Sequence, residues 1–262
     1  MHDPLVLLAA AIIGLIFGSF FSMLSWRLPR RLLAEYHGEP VPPLWDLRTR
    51  SACPHCETTL PWYRLIPLLS WLASRGRCHA CGQPISKRYP LIELATALLT
   101  VAAVWQFGLS AKGAFAVGFG WLVVLLVTVD LEHKLLLDAF TYPLLWLGLL
   151  ANSLHLWVTA EAAIWGAALG YGLLWGTYWL FRLVTGREGM GYGDFKMMAA
   201  VGAWFGWQAI PGLLLLSALT GILAQLLLRL AGRGETHFAF GPYIGLAGLA
   251  WLYFGPQLER LF

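Results

Sequence analysis

Charge is what this chain has least of. Only 12% of its 262 residues are Asp, Glu, Lys or Arg, and just 14 are acidic. That scarcity excludes intrinsic disorder, which needs high charge and few apolar residues. Beside 58% hydrophobic residues and a mean hydropathy of +0.65, it also excludes an ordinary water-soluble globule. Cysteine is nearly absent: all 4 lie between residues 53 and 81, which excludes a disulfide-dense secreted scaffold. No Lys or Arg precedes the first apolar run. That run, from Leu5 to Trp26, is too long for the core of a cleavable signal peptide, so it is expected to stay in the mature protein. No convincing internal repeat supports a duplicated transporter.

What is present points to a bilayer. The 14 Trp, 14 Phe and 28 Gly suit interfacial anchoring and close helix packing in lipid. Apolar runs near the length needed to cross a membrane fall at residues 4–26, 90–109, 113–130, 139–157, 161–181, 195–209, 211–230 and 239–258. The sixth is short and Pro211 blurs its end, so seven or eight spans both fit. The expected fold is therefore an all-α polytopic membrane protein of about eight transmembrane helices, with a loop domain between the first two. Its divisions are a first helix at 1–26, a loop domain at 27–89 and a multi-helix membrane domain at 90–262. A net charge of +4 could suggest a nucleic-acid partner, but the basic residues distribute as membrane topology would place them. Arg27, Arg30, Arg31, Arg48, Arg50, Arg64, Arg75, Arg77, Lys87 and Arg88 lie in the first loop, and Lys134, Arg182, Arg187, Lys196, Arg229 and Arg233 in or beside alternate later ones. With eight spans these share one face, leaving Lys112 and Arg260 opposite, and the positive-inside rule makes the shared face cytoplasmic. Lipid is thus an expected partner and nucleic acid is not.

The loop 27–89 has many turn residues, including Pro40, Pro42 and Pro43, and few long apolar runs, so its own core would be weak. Cys53-Pro-His-Cys56 and Cys78-His-Ala-Cys81 offer a remedy. Two such knuckles at this separation can wrap one tetrahedral zinc with four thiolates, a closed structural site. Disulfides compete with this reading, although a cytoplasmic loop sits in a reducing compartment. His55 and His79 lie inside the knuckles as alternative ligands or as loop residues facing water.

Two acids abut apolar runs at the expected cytoplasmic boundary. Asp130 ends the third run, and Asp194 opens the sixth within Gly191-Tyr192-Gly193-Asp194-Phe195-Lys196. An ionisable group at the edge of hydrocarbon is costly and points to function. Two carboxylates brought close share a proton, and such a pair can activate water against a peptide carbonyl. Gly191 and Gly193 would let backbone approach a helix or an extended substrate. Helix capping competes for Asp138 and Asp194, which both precede apolar runs. It does not account for Asp130, which ends a helix and opposes its dipole. Lys196 could pair with Asp194 or reach toward lipid headgroups.

In order along the chain, several motifs resemble those of the bacterial type IV prepilin peptidases. They are Gly18-Ser19-Phe20 leading to Arg27-Leu28-Pro29; Cys53-Pro54-x-Cys56; Pro67-Leu68-Leu69-Ser70-Trp71; Gly76-Arg77-Cys78-x-x-Cys81; and Arg88-Tyr89-Pro90-Leu91-x-Glu93. Gly191-Tyr192-Gly193-Asp194-Phe195-Lys196, Ala199 to Trp204 and Phe240-Gly241-Pro242 continue the likeness. The resemblance implies a polytopic inner-membrane aspartic peptidase that removes the basic leader of type IV prepilins or of type II secretion pseudopilins. It also implies methylation of the new N-terminal amine by S-adenosylmethionine. Carried over by position, Asp130 and Asp194 are the catalytic pair, and Asp138, Gly191, Gly193 and Lys196 support them. The chain departs from the family at Leu136-Leu137-Asp138, where Leu-Pro-Asp is common, and at Ser22, where Asn is common. No glycine-rich nucleotide loop on a strand is present, so the methyl-donor site is not legible. Glu57, Glu93 and Glu132 are acids available to a basic leader, and Glu93 could equally pair with Arg88 or cap a helix. A peptidase without methyl transfer, as in archaeal preflagellin enzymes, is disfavoured by the cysteine loop. A zinc-stabilised transporter or assembly scaffold, its acids binding cations or capping helices, is the alternative from another class.

Overall fold

The computed structural model describes residues 3–187, 189–232 and 239–260. Arg233, one of the basic residues used above, lies outside them. The chain divides into two compact units, Met1–Leu109 and Ser110–Phe262.

In the first unit, α1 (Pro4–His37) packs along α3 (Arg88–Phe107). Small residues permit the approach: a Cβ on Gly18 would lie 2.6 Å from the Glu93 Cα. Arg88 strengthens the pairing by donating to the Ser22 carbonyl at 2.6 Å and to Ser25 Oγ at 2.7 Å. At 34 residues α1 is about 51 Å long, well beyond a hydrocarbon core of about 30 Å. Its basic end therefore projects past the apolar span that the sequence outlined, until Gly38 stops it in a left-handed cap. Between α1 and α3 regular structure is sparse, with short 3-10 turns at Pro43–Trp45 and Trp62–Arg64 and a single turn of helix, α2 (Leu69–Ala73). Arg27, only 4% exposed, organises this segment. Its guanidinium donates to the carbonyls of Asp46, Thr49 and Arg50 at 2.7, 2.9 and 3.3 Å. Glu93 is buried and accepts from the Leu68 amide at 2.8 Å, tying the left-handed turn at Leu68 to α3.

The second unit is built around α7 (Tyr192–Phe205), which packs against α5 (Asp138–Ser153), α6 (Ala160–Thr185) and α9 (Gly241–Leu258). From Asp194 to Phe205 every residue of α7 except Lys196 is buried. Gly166 and Gly202 let α6 and α7 meet backbone to backbone, since a Cβ on either would collide with the other's carbonyl. Trp204 fills the centre, 4.9 Å from the Phe119 ring of α4 (Ala111–His133), and donates Nε1–H to the Leu144 carbonyl at 2.8 Å. Asn152 closes the far end of the bundle. Its amide donates to the carbonyls of Ala203 and Trp204 at 2.8 and 2.9 Å, and its oxygen accepts from the amides of Trp157 and Val158. The remaining helix, α8 (Ile210–Leu230), packs against α9.

The mostly helical, membrane-associated character is as expected, but the count of about eight spans is not. Among the described residues four helices are long and apolar enough to cross: Pro4–His37, Arg88–Phe107, Ala111–His133 and Trp207–Leu230. Two of the missing spans are too short, α5 with 16 residues and α7 with 14. The other two lose apolar density: glycines and Trp and Tyr dilute α6, and Pro242, Pro256 and Gln257 interrupt α9. The apolar sequence of α7 reflects burial in protein rather than exposure to lipid. Lipid-facing character is instead seen on α1 and α8, where Leu5, Ile16, Phe20, Leu219, Ile222 and Leu226 are exposed.

The Asn152 cluster predicts a stability defect. Asn152→Ala leaves two carbonyls and two amides without their partner in a dry interior, and is expected to destabilise the second unit by about 2–4 kcal/mol. Thermal unfolding in detergent tests this: the midpoint should fall clearly, and an unchanged midpoint would show that the cluster contributes little.

Candidate active site and metal centre

Asp130 lies in the last turn of α4 and is 4% exposed. Its backbone carbonyl accepts from the Lys134 amide at 2.9 Å, and Lys134, at φ 56°, ends the helix in a left-handed cap. The side chain opposes the dipole of its own helix. A second helix end compensates, because the Gly241 amide at the start of α9 reaches the Asp130 carboxylate. Contact there is close: a Cβ on Gly241 would stand 2.6 Å from Asp130 Oδ2. That buried oxygen nevertheless accepts no well-formed hydrogen bond among the described residues.

Asp194 enters from α7, whose N-cap is Gly191, and is 9% exposed. It is not the cap itself. Its carboxylate turns back to the Gly191 amide, as the third residue of a helix does in a capping box. Burial first, and then the negative charge of Asp130, push its pKa up to about 7; the Gly191 amide pulls the other way. The two acids thus sense one another's charge. Leu136 ties their surroundings together, since Cβ atoms on Gly193 and Gly241 would lie 2.8 and 3.0 Å from its side chain.

The supporting residues divide. Asp138 is the first residue of α5, makes no capping bond, and pairs with Lys196 through both oxygens at 2.8 and 2.9 Å. Lys196 therefore meets Asp138, not Asp194 or the headgroup region alone, and its ammonium also stands 5.5 Å from the Tyr142 ring centre. The pair is well exposed, so it orients the turn before α5 against α7 more than it stabilises the protein. Sequence reasoning missed Leu136, which carries no polar group to draw attention, and the role of Gly241. The signals for Gly241 are its place in the Phe240-Gly241-Pro242 motif and a Gly-Pro step opening an apolar run, a pattern suited to a helix start.

In the first unit the four cysteines converge. The Sγ atoms of Cys53, Cys56, Cys78 and Cys81 all lie within 4.8 Å of one another, and Cys53 and Cys81 are 3.8 Å apart. Four thiolates about 2.3 Å from a tetrahedral ion would be separated by about 3.8 Å, so the set fits a metal. All four are free thiols, which sets aside the disulfide reading. The knuckles are alike: the Cys53 carbonyl accepts from the Glu57 amide at 2.9 Å and the Cys78 carbonyl from the Gly82 amide at 3.0 Å. The turn residues Glu57 and Gly82 both have positive φ, at 56° and 70°.

Comparison with known proteins covers most of the chain. Residues 12–107 match the family described as the bacterial peptidase A24 N-terminal domain, and residues 116–226 match the type IV leader peptidase family. The chain is 43% identical to the prepilin leader peptidase/N-methyltransferase of Stutzerimonas stutzeri, over 98% of this chain and 93% of that protein. It is 40% identical to the protein of that name in Pseudomonas aeruginosa, over 100% and 94%. A third relative, from Aeromonas hydrophila, is 45% identical over 94% and 90%. No solved structure matches the chain.

The cysteine geometry makes a direct prediction. Purified protein is expected to carry about one tightly held metal ion per chain, and Cys53→Ser to lose it, by elemental analysis. A folded, metal-free preparation with four reactive thiols would contradict the cluster's role.

Proposed function

The chain belongs to the type IV leader peptidase family, and from that membership we propose that it is a two-activity enzyme of the bacterial inner membrane. It cleaves the basic leader from type IV prepilins or type II secretion pseudopilins and N-methylates the residue thereby exposed. The peptidase is of the aspartic type, with Asp130 and Asp194 as its catalytic pair. The observation that carries this assignment is the pair's setting: two buried acids from different helices, one held near pKa 7 by burial and by the charge of the other.

At neutral pH such a pair holds one proton between its two carboxyl groups. A water bound there loses a proton to the ionised carboxylate as its oxygen attacks the scissile carbonyl carbon. The protonated partner donates to the carbonyl oxygen. Collapse of the tetrahedral diol breaks the C–N bond, and the proton taken from water passes to the departing amine. Gly191 supplies the amide that Asp194 leans on, and Gly193 leaves room for the Leu136 side chain beside the acids. Asp138 and Lys196 brace the turn and helix that carry them.

The setting suits the substrate. A prepilin has a basic leader followed by an apolar helix, so its scissile bond lies at a membrane boundary, the kind of place where a lipid-embedded α4 ends in Asp130. We place the basic loop 27–89 on the cytoplasmic side, since its many Arg and Lys residues follow the positive-inside rule. Zinc is the metal we assign to Cys53, Cys56, Cys78 and Cys81: four thiolates in a closed tetrahedral set suit it and leave no open position for catalysis. Its contribution is to the fold of the loop. S-adenosylmethionine, the methyl donor that the resemblance implies, has no nucleotide cradle of strand, glycine loop and helix among the described residues, where the β-structure amounts to two isolated bridges. Methyl transfer therefore rests on family membership, and no residue is assigned to the donor.

The assignment is tested by expressing the protein with a prepilin and changing each acid alone. Asp130→Asn and Asp194→Asn are each expected to abolish leader cleavage, by about a thousandfold or more, because Asn keeps the shape but cannot share the proton. Both variants should unfold near the wild-type midpoint and still methylate an already cleaved pilin. Full cleavage by either variant would sink the assignment.

A further inference from the structure

Leu136 sits in the turn between α4 and α5, and both ends of that turn are fixed. At its start the Lys134 amide bonds the Asp130 carbonyl; at its end the Leu137 carbonyl accepts from the amides of Phe140 and Thr141 at 3.0 Å each. The position of Leu136 is thereby locked to the backbone that bears Asp130. Its side chain then meets two glycines from separate elements. A Cβ on Gly193, one residue before Asp194, would stand 2.8 Å from Leu136 Cβ and 3.4 Å from its Cδ1. A Cβ on Gly241, against Asp130 Oδ2, would stand 3.0 and 3.1 Å from the two Leu136 methyl groups. Real Cβ atoms essentially never stand within 3.0 Å of another heavy atom, so the Leu136 Cβ occupies the space a side chain at 193 would need, and its methyl groups crowd position 241 beside Asp130 Oδ2.

We infer that Leu136 is a positioning residue for leader cleavage, an apolar spacer that sets the gap between the backbone bearing Asp194 and the segment abutting Asp130. The inference rests on the peptidase reading above. Leucine has no group to donate, accept or ligate, so its contribution is geometric. Protein interiors are packed nearly as densely as organic crystals, and a filled contact of this kind resists compression. The catalytic need is equally strict, because one water must touch both carboxylates at once. A misplacement of about 1 Å can cost about a hundredfold in rate. The wedge also explains why this chain has glycine at 193, whereas at 241 Asp130 Oδ2 is the nearer obstacle.

The test is a series of side-chain lengths at position 136 in the full-length protein, assayed in detergent with a prepilin substrate. Leu136→Ala is expected to lower kcat by about 10- to 100-fold while KM stays within a factor of about three, because the acids are misplaced and substrate binding is not. Leu136→Met, close in volume, should recover most of the turnover, and Leu136→Val should fall between. Methylation of an already cleaved pilin and the thermal midpoint serve as controls for global damage. A kcat for Leu136→Ala within about threefold of wild type would overturn the inference. So would a rise in KM with kcat unchanged, which would make Leu136 a substrate contact. If Leu136→Ala fails to fold, Leu136→Val decides by the same criterion. A wild-type protein that cleaves no prepilin would instead refute the peptidase reading, and the inference with it.

Discussion

Two carboxylates buried within reach of each other's charge are the constraint around which the second unit is arranged. Ionising both in a poorly hydrated site is costly, and leaving either without polar support is nearly as bad. The fold supplies that support from helix ends. Asp194 leans on the Gly191 amide at the start of its own helix, and Asp130 faces the Gly241 amide at the start of α9. This explains why α7 is the most buried helix and is braced on several sides. The helix that presents the Asp194 carboxylate from its first turn is held from the middle and the far end by the Gly166–Gly202 contact, the Trp204 cluster and Asn152.

The first unit meets a different difficulty. Its long segment between α1 and α3 has little apolar material to fold around, and small irregular domains need some other form of cross-linking. Two kinds are present. The buried Arg27 guanidinium gathers three carbonyls of the loop, and Glu93 holds the Leu68 turn. In the same segment, four cysteine sulfurs converge at metal-binding spacing. Trp71 links these regions, packing over Gly76 and donating Nε1–H to the Ile85 carbonyl at 3.2 Å. Polar anchors and a cysteine cluster spaced to hold a metal thus stand where the second unit has a hydrophobic core.

Much of the site was readable in the sequence because its chemistry is local. Cys53, Cys56, Cys78 and Cys81 announce themselves by spacing, and Asp130 stood out as an acid at the wrong end of a helix. The features that were not readable depend on tertiary contact. Hydropathy cannot distinguish a helix wrapped by protein from one wrapped by lipid, and the apolar run at 195–209 falls on α7, which is wrapped by protein. The partner of Lys196 was misjudged because Asp194 is near in sequence while Asp138, which it meets, is 58 residues away. Leu136 stands in the sequence only as part of Leu136-Leu137-Asp138: an apolar residue has no polar signal, and its contacts appear only when Gly193 and Gly241 are seen to crowd it.

The most direct test of a shared proton is the pH dependence of kcat/KM for leader cleavage by the wild-type protein. A pair that needs one acid ionised and the other protonated gives a bell. On the acid side both become protonated and the base is lost. On the alkaline side the second proton leaves, with Asp194 near pKa 7, and the acid is lost. The expected result is a maximum with a falling limb that begins around neutrality. A rate that keeps climbing through pH 7 and beyond would mean that no protonated carboxyl is required, and would contradict the paired-acid account.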